Sequence, residues 1–332
     1  MQRPTPATPT VLVFATGGTI GMRSTEKGLA PDPGFPEVLE RLVASVCAPL
    51  GAEYRINQLS PPIDSANADA GTAPRIARAV GARVRTVRPR GVVITHGTDT
   101  LAHTAARLAF EFADLGVPVV LTGSQLPHGE AGSDAPANLA LAIRAALTAK
   151  PSAPVCIAFG GELLPAVRTT KYQAEALEAF RAERPLGPGP VGVLGPGAPS
   201  ANPGEPARII PFRFAPGTAA ADLRAAVGGR PDGLVLECYG SGNAPMAKPG
   251  MAAALREICA ELPVVAVTQC ATGGVDFGRY AVSHEMVKAG VIDGGDMTLE
   301  AALAKLAYAL DRGAWDDALR ELMSRNLVGE RT

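Results

Sequence analysis

The chain has 332 residues, with 31 lysines and arginines against 32 aspartates and glutamates, and 47% of its residues are hydrophobic. The length predicts two domains or one large one, and the hydrophobic content is that of a globular protein. A net charge of -1 disfavours nucleic-acid and membrane-surface binding, because both usually need a basic face.

Membrane insertion, disulfides and structural zinc are also disfavoured. No window approaches the roughly 20 uninterrupted apolar residues of a membrane helix. The apolar run at residues 11–15 is short for a signal-peptide core, so we expect a cytoplasmic protein. The five cysteines are scattered without a CxxC motif, and the four histidines lack metal-ligand spacing. Reduced thiols and no metal site are therefore expected.

Short apolar runs alternate with amphipathic stretches in the first half of the chain. Strands are predicted at residues 11–15, 92–95, 117–122 and 155–159, and helices at 74–87, 101–112 and 138–149. Because the strands are rich in Val and Ile without polar alternation, we expect burial on both faces of a doubly wound, mostly parallel sheet. Ligands bind at the carboxyl ends of such strands.

A stretch dense in Pro and Gly interrupts this pattern. We predict a larger N-terminal α/β domain at residues 1–190, a linker at 191–215 and a smaller C-terminal α/β domain at 216–332. In the last domain, strands are predicted at 234–236 and 264–268, and helices at 251–261 and 299–310. The string GPGPVG at 187–192 matches GxGxxG, but its prolines and the lack of a following helix exclude a dinucleotide site.

Three predicted strands run into polar motifs. These motifs are TGGTIG at 16–21, HGTDT at 96–100 and TGSQ at 122–125. Each has a plain structural explanation as a turn or a helix cap. Four polar residues at one strand end exceed what capping needs, so HGTDT favours a binding or catalytic site. His96 itself is expected to be a structural histidine.

Two shorter motifs are ambiguous when taken alone. Asp64 and Ser65 follow two prolines and fit an exposed turn. The RTTK motif at 168–171 ends in Lys171, and only six of the 31 basic residues are lysines. A lysine can change its pKa on burial and act as a base or proton relay, which arginine cannot. A solvated surface lysine is the alternative.

Together these segments resemble the L-asparaginases, and most of all their cytoplasmic type I group. The motifs occur in the family's order and continue with YGSGNAP at 239–245, TQC at 268–270 and DMT at 296–298. The resemblance extends from about residue 11 to residue 330. It implies a two-domain α/β fold and hydrolysis of L-asparagine to L-aspartate and ammonia, with no metal or organic cofactor.

The resemblance also implies roles for individual residues. Thr19 corresponds to the family's nucleophile, and a second catalytic group is formed by Thr98, Asp99 and Lys171. A threonine hydroxyl is a weak nucleophile and needs a base or relay. We expect Lys171, held by Asp99, to keep Thr98 polarised so that it activates the nucleophile or the deacylating water.

Substrate binding is implied for a second set of residues. Asp64 and Ser65 match the pair at the α-amino and α-carboxylate end of the substrate, and Asp99 contacts the α-ammonium. Asn243 matches a residue supplied by a neighbouring subunit, which predicts a homodimer or dimer of dimers with the site near the subunit interface. The expected binding set is Gly18, Asp64, Ser65, Gly97, Thr98, Asp99, Ser124 and Asn243.

The sequence departs from the family pattern at two places. Leu29 stands where many members have a Tyr in the loop after the nucleophile, and we expect Tyr280 to take over that role. Glu237 replaces an Arg of the allosteric asparagine site of some type I relatives, whose other parts match Thr170 and Cys270. Weakened or absent asparagine cooperativity is therefore expected.

Three alternatives remain open at this point. The chain is also compatible with an amidase of glutamine or mixed specificity, because the two amides differ by one methylene. It is compatible with an amidase acting on a macromolecule, such as a transamidosome subunit, or with a catalytically silent amino-acid-binding module. The presence of Thr19, Thr98, Asp99 and Lys171 argues against the silent module.

Overall fold

The chain divides into two compact units, and each is organised around its own sheet. The computed structural model describes residues 8–148, 155–188, 205–278 and 281–332. The first unit is Met1–Arg181 and the second is Ala182–Thr332. Both are α/β units, the first with the larger, mostly parallel sheet, which confirms the predicted fold class.

The first unit contains ten strands and four helices in its described part. The strands are β1 (Thr10–Gly17), β2 (Met22–Thr25), β3 (Gly28–Pro31), β4 (Glu53–Ile63), β5 (Gly91–Thr95), β6 (Val119–Thr122), β7 (Val155–Phe159), β8 (Glu162–Pro165), β9 (Thr170–Lys171) and β10 (Phe180–Arg181). The helices are α1 (Phe35–Cys47), α2 (Thr72–Val87), α3 (Leu101–Glu111) and α4 (Ala135–Thr148).

Six strands form the main sheet in the order β4-β1-β5-β6-β7-β8, with only β8 antiparallel to its neighbour. Helices α1 and α4 share a buried cluster with one face of these strands. The alternate strand residues, such as Leu12 and Ile94, are also fully buried, and α2 and α3 pack against β1, β6 and β7. Burial on both faces confirms the interpretation of the Val- and Ile-rich runs.

Two parts of this unit, the hairpin and β4, lack a strong sequence signal. The hairpin of β2 and β3 is mostly exposed, so no apolar face marks it. Strand β4 is an edge strand whose exposed and partly buried residues alternate. Its polar sequence does not read as a buried strand, because one edge of it is open. Helix α1 was not predicted, although its buried residues Leu39, Val43 and Cys47 recur every four positions, as in an amphipathic helix.

The second unit has a four-stranded parallel sheet in its described residues. The strands are β11 (Ile209–Arg213), β12 (Gly233–Cys238), β13 (Val264–Thr268) and β14 (Ile292–Asp293), in that order. The helices are α5 (Ala220–Val227), α6 (Met251–Glu261), α7 (Ala281–Ala289), α8 (Leu299–Asp311) and α9 (Asp316–Ser324). Helices α5, α6 and α7 contribute to one core cluster, and α8 packs against β11, β12 and β13.

The domain boundaries from the sequence remain predictions, although the structure adds detail. The compact units divide between Arg181 and Ala182, and residues 191–204 of the predicted linker lie outside the described residues. Strand β11 lies inside the predicted linker and pairs with β12. No helix in the described residues is both long enough and apolar enough to span a membrane.

Candidate active site

Glycines bring the ends of β1 and β5 into backbone contact. The two strands are parallel neighbours, and the hydroxyl of Thr16 donates to the carbonyl of Thr95 over 2.6 Å. Gly18 has a φ of 92°, and a Cβ there would collide with the backbone of Gly97. A side chain at Gly18 would therefore push the TGGTIG and HGTDT motifs apart.

Thr19 begins a short 3-10 turn directly after this contact. The turn spans Thr19–Gly21, and the amide of Gly21 donates to the carbonyl of Gly18 over 3.0 Å. The side chain of Ile20 is fully buried and anchors the turn. Thr19 itself is partly exposed and lines a cavity, so its hydroxyl is accessible to a small molecule.

Lys171 joins two residues of the HGTDT motif. Its Nζ lies 2.9 Å from Oγ1 of Thr98 and 2.9 Å from Oδ1 of Asp99. Thr98 is buried, whereas the lysine and aspartate side chains are 20% and 63% exposed. Because the hydroxyl of Thr98 accepts from the ammonium, its own proton is free to be donated elsewhere.

Asp64 and Ser65 form a turn beside the same motif. Asp64 accepts from the amide of Ala66 over 3.1 Å and from Nδ2 of Asn67 over 2.7 Å. The carbonyl of Ser65 accepts from the hydroxyl of Thr100 over 2.8 Å. These bonds attach the turn to the loop after β5.

One cavity of about 440 Å³ collects most of the predicted residues. That volume suits a small metabolite. The predicted residues that line it are Gly18, Thr19, Asp64, Ser65, Thr98, Asp99 and Lys171. The other lining residues, for which no role was predicted, are Met22, Gln125, Leu126, Ala174 and Glu175.

Four predicted site residues are not among the cavity-lining residues. Gly97 packs behind the wall against Gly18 and Ser65. Ser124 is fully buried, and its hydroxyl donates to the carbonyl of Leu126 over 2.6 Å. Asn243 belongs to the second unit, and Tyr280 lies outside the described residues.

The loop after β6 contributes the wall that the sequence did not assign. Gln125 donates through Nε2 to the carbonyl of Ala174 over 2.9 Å, which holds the segment carrying Glu175 beside the cavity. Asp134 accepts from the amides of Gln125 and Leu126 at 3.0 to 3.1 Å. The signal for Gln125 was present, since it belongs to the TGSQ motif at a predicted strand end.

His96 has the structural role that was expected. It is buried, its Nδ1 lies 2.8 Å from the carbonyl of Gly97, and its Nε2 lies 3.1 Å from the hydroxyl of Thr104. Since a carbonyl only accepts, Nδ1 carries the proton and Nε2 accepts from the hydroxyl. Burial lowers the pKa of His96 from its usual value, although the bond to Gly97 opposes this.

The two departures from the family pattern occupy different surroundings. Leu29 lies on β3 and is 49% exposed, and it is not among the cavity-lining residues. Glu237, at the end of β12, accepts from the guanidinium of Arg213 over 3.1 Å. Its carboxylate therefore already has a cationic partner within the second unit.

The fold and the cavity define a class of protein. A threonine hydroxyl and a lysine-held hydroxyl line one cavity at the carboxyl ends of a parallel sheet, as an α/β amidohydrolase requires. The chain belongs to the asparaginase family. The model of its N-terminal domain matches residues 10–191, and the glutaminase/asparaginase C-terminal domain matches residues 208–323.

Individual relatives agree over nearly the whole length. The L-asparaginase of Thermococcus kodakarensis is 35% identical, covering 97% of this chain and 99% of that protein, and its structure superimposes with a TM-score of 0.81. L-asparaginase 1 of Escherichia coli is 34% identical over 97% of this chain and 98% of its own length. The structure of L-asparaginase I from Vibrio cholerae has a TM-score of 0.82 at 30% identity, covering 98% of this chain and 100% of that one.

Proposed function

We propose that this chain hydrolyses the side-chain amide of L-asparagine to L-aspartate and ammonia, with Thr19 as nucleophile. One observation carries the proposal: Thr19 lines the same cavity as the group formed by Lys171, Thr98 and Asp99. The full-length similarity to L-asparaginases of two organisms supports the choice of substrate.

The reaction has two halves in this proposal. Oγ1 of Thr19 attacks the amide carbon, its proton passes to a relay, and the amide nitrogen leaves as ammonia after protonation. Water then hydrolyses the aspartyl ester on Thr19. Thr98 serves both halves, because Lys171 occupies a lone pair of its hydroxyl at 2.9 Å and leaves the proton free to shuttle.

The ends of the substrate are assigned by charge. Asp99 and Asp64 offer carboxylates to the α-ammonium, and Ser65 lies beside Asp64 for the α-carboxylate. Backbone N–H groups at the glycine-rich end of β1 are suited to the oxyanion, because Gly18 and Thr19 line the cavity there. Ser124 can donate to the substrate only if its hydroxyl leaves the carbonyl of Leu126.

The proposed assembly is a cytoplasmic homodimer or dimer of dimers in which Asn243 of one copy contributes to the site of another. Oδ1 of Asn243 is buried without a hydrogen-bond partner in the described part of the chain, as is the hydroxyl of Tyr239. Because this chain already covers both atoms, support for the assembly comes instead from the family resemblance, in which Asn243 matches a residue supplied by a neighbouring subunit.

Asparagine and glutamine are both candidates for the amide. The cavity of about 440 Å³ has room for one additional methylene, and binding sites discriminate weakly against such a small difference. The relative rates on the two amides therefore belong to the same test.

Ammonia release from asparagine and glutamine, measured with Thr19→Ala, tests the proposal. We expect activity on asparagine and a loss of at least about 1000-fold in kcat for Thr19→Ala. Thr86→Ala is the matched control, because Thr86 is an exposed threonine on α2. Asparagine binding without ammonia release from the wild-type protein would instead identify a silent binding module.

A further inference from the structure

The hairpin that follows the nucleophile is exposed along both strands, and it is attached to the rest of the unit both near its tip, at Ser24, and at its base. Ser24 donates to Oε1 of Glu130 over 2.6 Å, and the amide of Asp32 donates to the carbonyl of Gly21 over 2.9 Å. Met22, the first residue of the hairpin, lines the cavity. The position of the hairpin therefore affects the shape of the site.

His128 contacts the chain on both sides of this hairpin. Its Nδ1 lies 3.1 Å from the carbonyl of Ile20, before β2, and its Nε2 lies 3.4 Å from Oδ2 of Asp32, after β3. The histidine side chain is 10% exposed, and its ring centroid lies 5.3 Å from that of Phe35. One imidazole thus fastens both ends of the hairpin.

Both partners of the ring can only accept hydrogen bonds. The carbonyl of Ile20 requires a proton on Nδ1, and the carboxylate of Asp32 favours a proton on Nε2. The ring therefore donates to Ile20 through Nδ1, and its contact with Asp32 is an ion pair when Nε2 carries a proton as well. The carboxylate is fixed in turn, because its Oδ1 accepts from the amide of Gly34 over 3.0 Å.

The loop that carries His128 also forms a wall of the cavity. Leu126 stands two residues before the histidine and lines the cavity. Asp134 fixes this wall by accepting from the amides of Gln125 and Leu126. Ile20 directly follows Thr19 in the 3-10 turn, so the bond from His128 ties the turn bearing the nucleophile to a rigid part of the site.

We propose that His128 is a positioning residue, whose imidazole ring holds the Thr19 turn and the hairpin in the geometry needed for attack. The inference rests on the proposed function, because it takes Thr19 as the nucleophile. A reacting atom displaced by about 1 Å can cost about 100-fold in rate. The effect of losing this contact should therefore fall on kcat more than on KM.

The test combines kinetics with limited trypsin digestion of the full chain. Arg23 and Lys27 are exposed residues of the hairpin and provide cleavage sites within it. For His128→Leu we expect kcat on asparagine to fall roughly 10- to 100-fold, with a smaller change in KM and faster cleavage in the hairpin. His128→Arg, which keeps two donors, should recover part of both losses. His103→Leu, at an exposed histidine of α3, should change neither.

Asp32→Ala removes only the contact between the carboxylate and Nε2 of His128. We expect it to lower kcat and to speed hairpin cleavage, so it also tests the proposal if His128→Leu does not fold. Unchanged hairpin cleavage in both variants would overturn the proposal, as would faster cleavage with wild-type kcat. The digestion needs no substrate. A wild-type protein that releases no ammonia would therefore refute the proposed function, while the contact between His128 and the hairpin is still tested.

Discussion

Each unit contains a lysine in contact with a carboxylate, and the two pairs differ in exposure more than in distance. Lys171 lies 2.9 Å from Asp99 at the edge of the cavity, with the two side chains 20% and 63% exposed. Lys305 lies 2.6 Å from Glu330 in the second unit, and both side chains are fully buried. Distance by itself does not separate a reactive pair from a structural one.

The surroundings of the two lysines separate them clearly. Lys305 also donates to the carbonyls of Met323 and Arg325, and Glu330 accepts from the amides of Leu327 and Val328. Each partner is thus enclosed by backbone groups, which fastens the C-terminal segment to α8. Lys171 instead donates a hydrogen bond to the hydroxyl of Thr98, a group that can exchange protons with a substrate.

Burial has a different consequence for the enclosed lysine. It lowers the pKa of Lys305 to about 8, although the charge of Glu330 acts in the opposite direction. A buried ion pair is costly to break, because the remaining charge has no water to solvate it. The pair in the second unit should therefore govern stability, and the pair at the cavity should govern turnover.

The largest effect is expected from Lys171→Met. It removes the cation that polarises Thr98, so kcat should fall by at least about 1000-fold, which corresponds to about 4 kcal/mol. The free energy of unfolding should change by no more than about 1 kcal/mol, because the carboxylate of Asp99 is 63% exposed and stays solvated when the lysine is removed. Steady-state ammonia release and urea denaturation measure the two quantities.

Lys288→Met is the matched control for Lys171→Met. Lys288 also lies 2.8 Å from a carboxylate, that of Glu285, but on an exposed helix surface. We expect normal turnover in Lys288→Met. Near-normal turnover in Lys171→Met as well would contradict the proposed proton relay through Lys171 and Thr98.

The second effect concerns stability and comes from Glu330→Gln. This change keeps an oxygen for the amides of Leu327 and Val328 but leaves the charge of Lys305 without its partner. We expect a loss of about 3 kcal/mol in unfolding free energy, with kcat of the folded protein within about twofold of wild type. Glu321→Gln breaks an exposed pair with Arg325 at 3.9 Å and should cost under about 1 kcal/mol. Equal costs in the two variants would contradict the role assigned to burial.

The third prediction concerns a phenol that would act together with Lys171, Thr98 and Asp99. Leu29 provides none after the nucleophile, so Tyr280→Phe is expected to lose most of its turnover, roughly tenfold or more. Glu175 lines the cavity and is the competing proton acceptor. If Tyr280→Phe is nearly normal while Glu175→Gln is slow, the role passes from the tyrosine to the glutamate.

The smallest effect is expected at His96, which is buried beside neutral partners rather than an opposite charge. Burial lowers its folded-state pKa from 6.5, so below that pH the unfolded chain binds a proton that the folded protein does not. Stability is therefore kept above about pH 6.5 and falls as the pH decreases below it. Urea denaturation from about pH 5 to pH 7.5 measures this. The dependence of the unfolding free energy on pH should weaken in His96→Gln and persist in His103→Gln. An unchanged pH dependence in His96→Gln would mean that other groups cause it.

Much of the first unit could be predicted from the chain, and the reasons are local. Fully buried parallel strands need continuous apolar runs, and the runs before Thr19, His96 and Ser124 fulfil that need. The hairpin and β4 could not be predicted in the same way. Their stability comes from pairing with neighbouring strands and from contacts such as His128 with Asp32, not from a periodic apolar face.

The sequence by itself determined the strand-end motifs and, through their likeness to the L-asparaginases, predicted which residues form the catalytic group. Only the tertiary structure decided which neighbours complete the cavity. Ser124 and Gln125 are adjacent, yet the hydroxyl of Ser124 turns to a carbonyl while Gln125 reaches the cavity wall. Likewise, Lys171 and Lys305 both contact a carboxylate, and only the packing around each lysine decides whether water reaches it. A side chain's surroundings come from segments distant in the chain, so local sequence does not specify them.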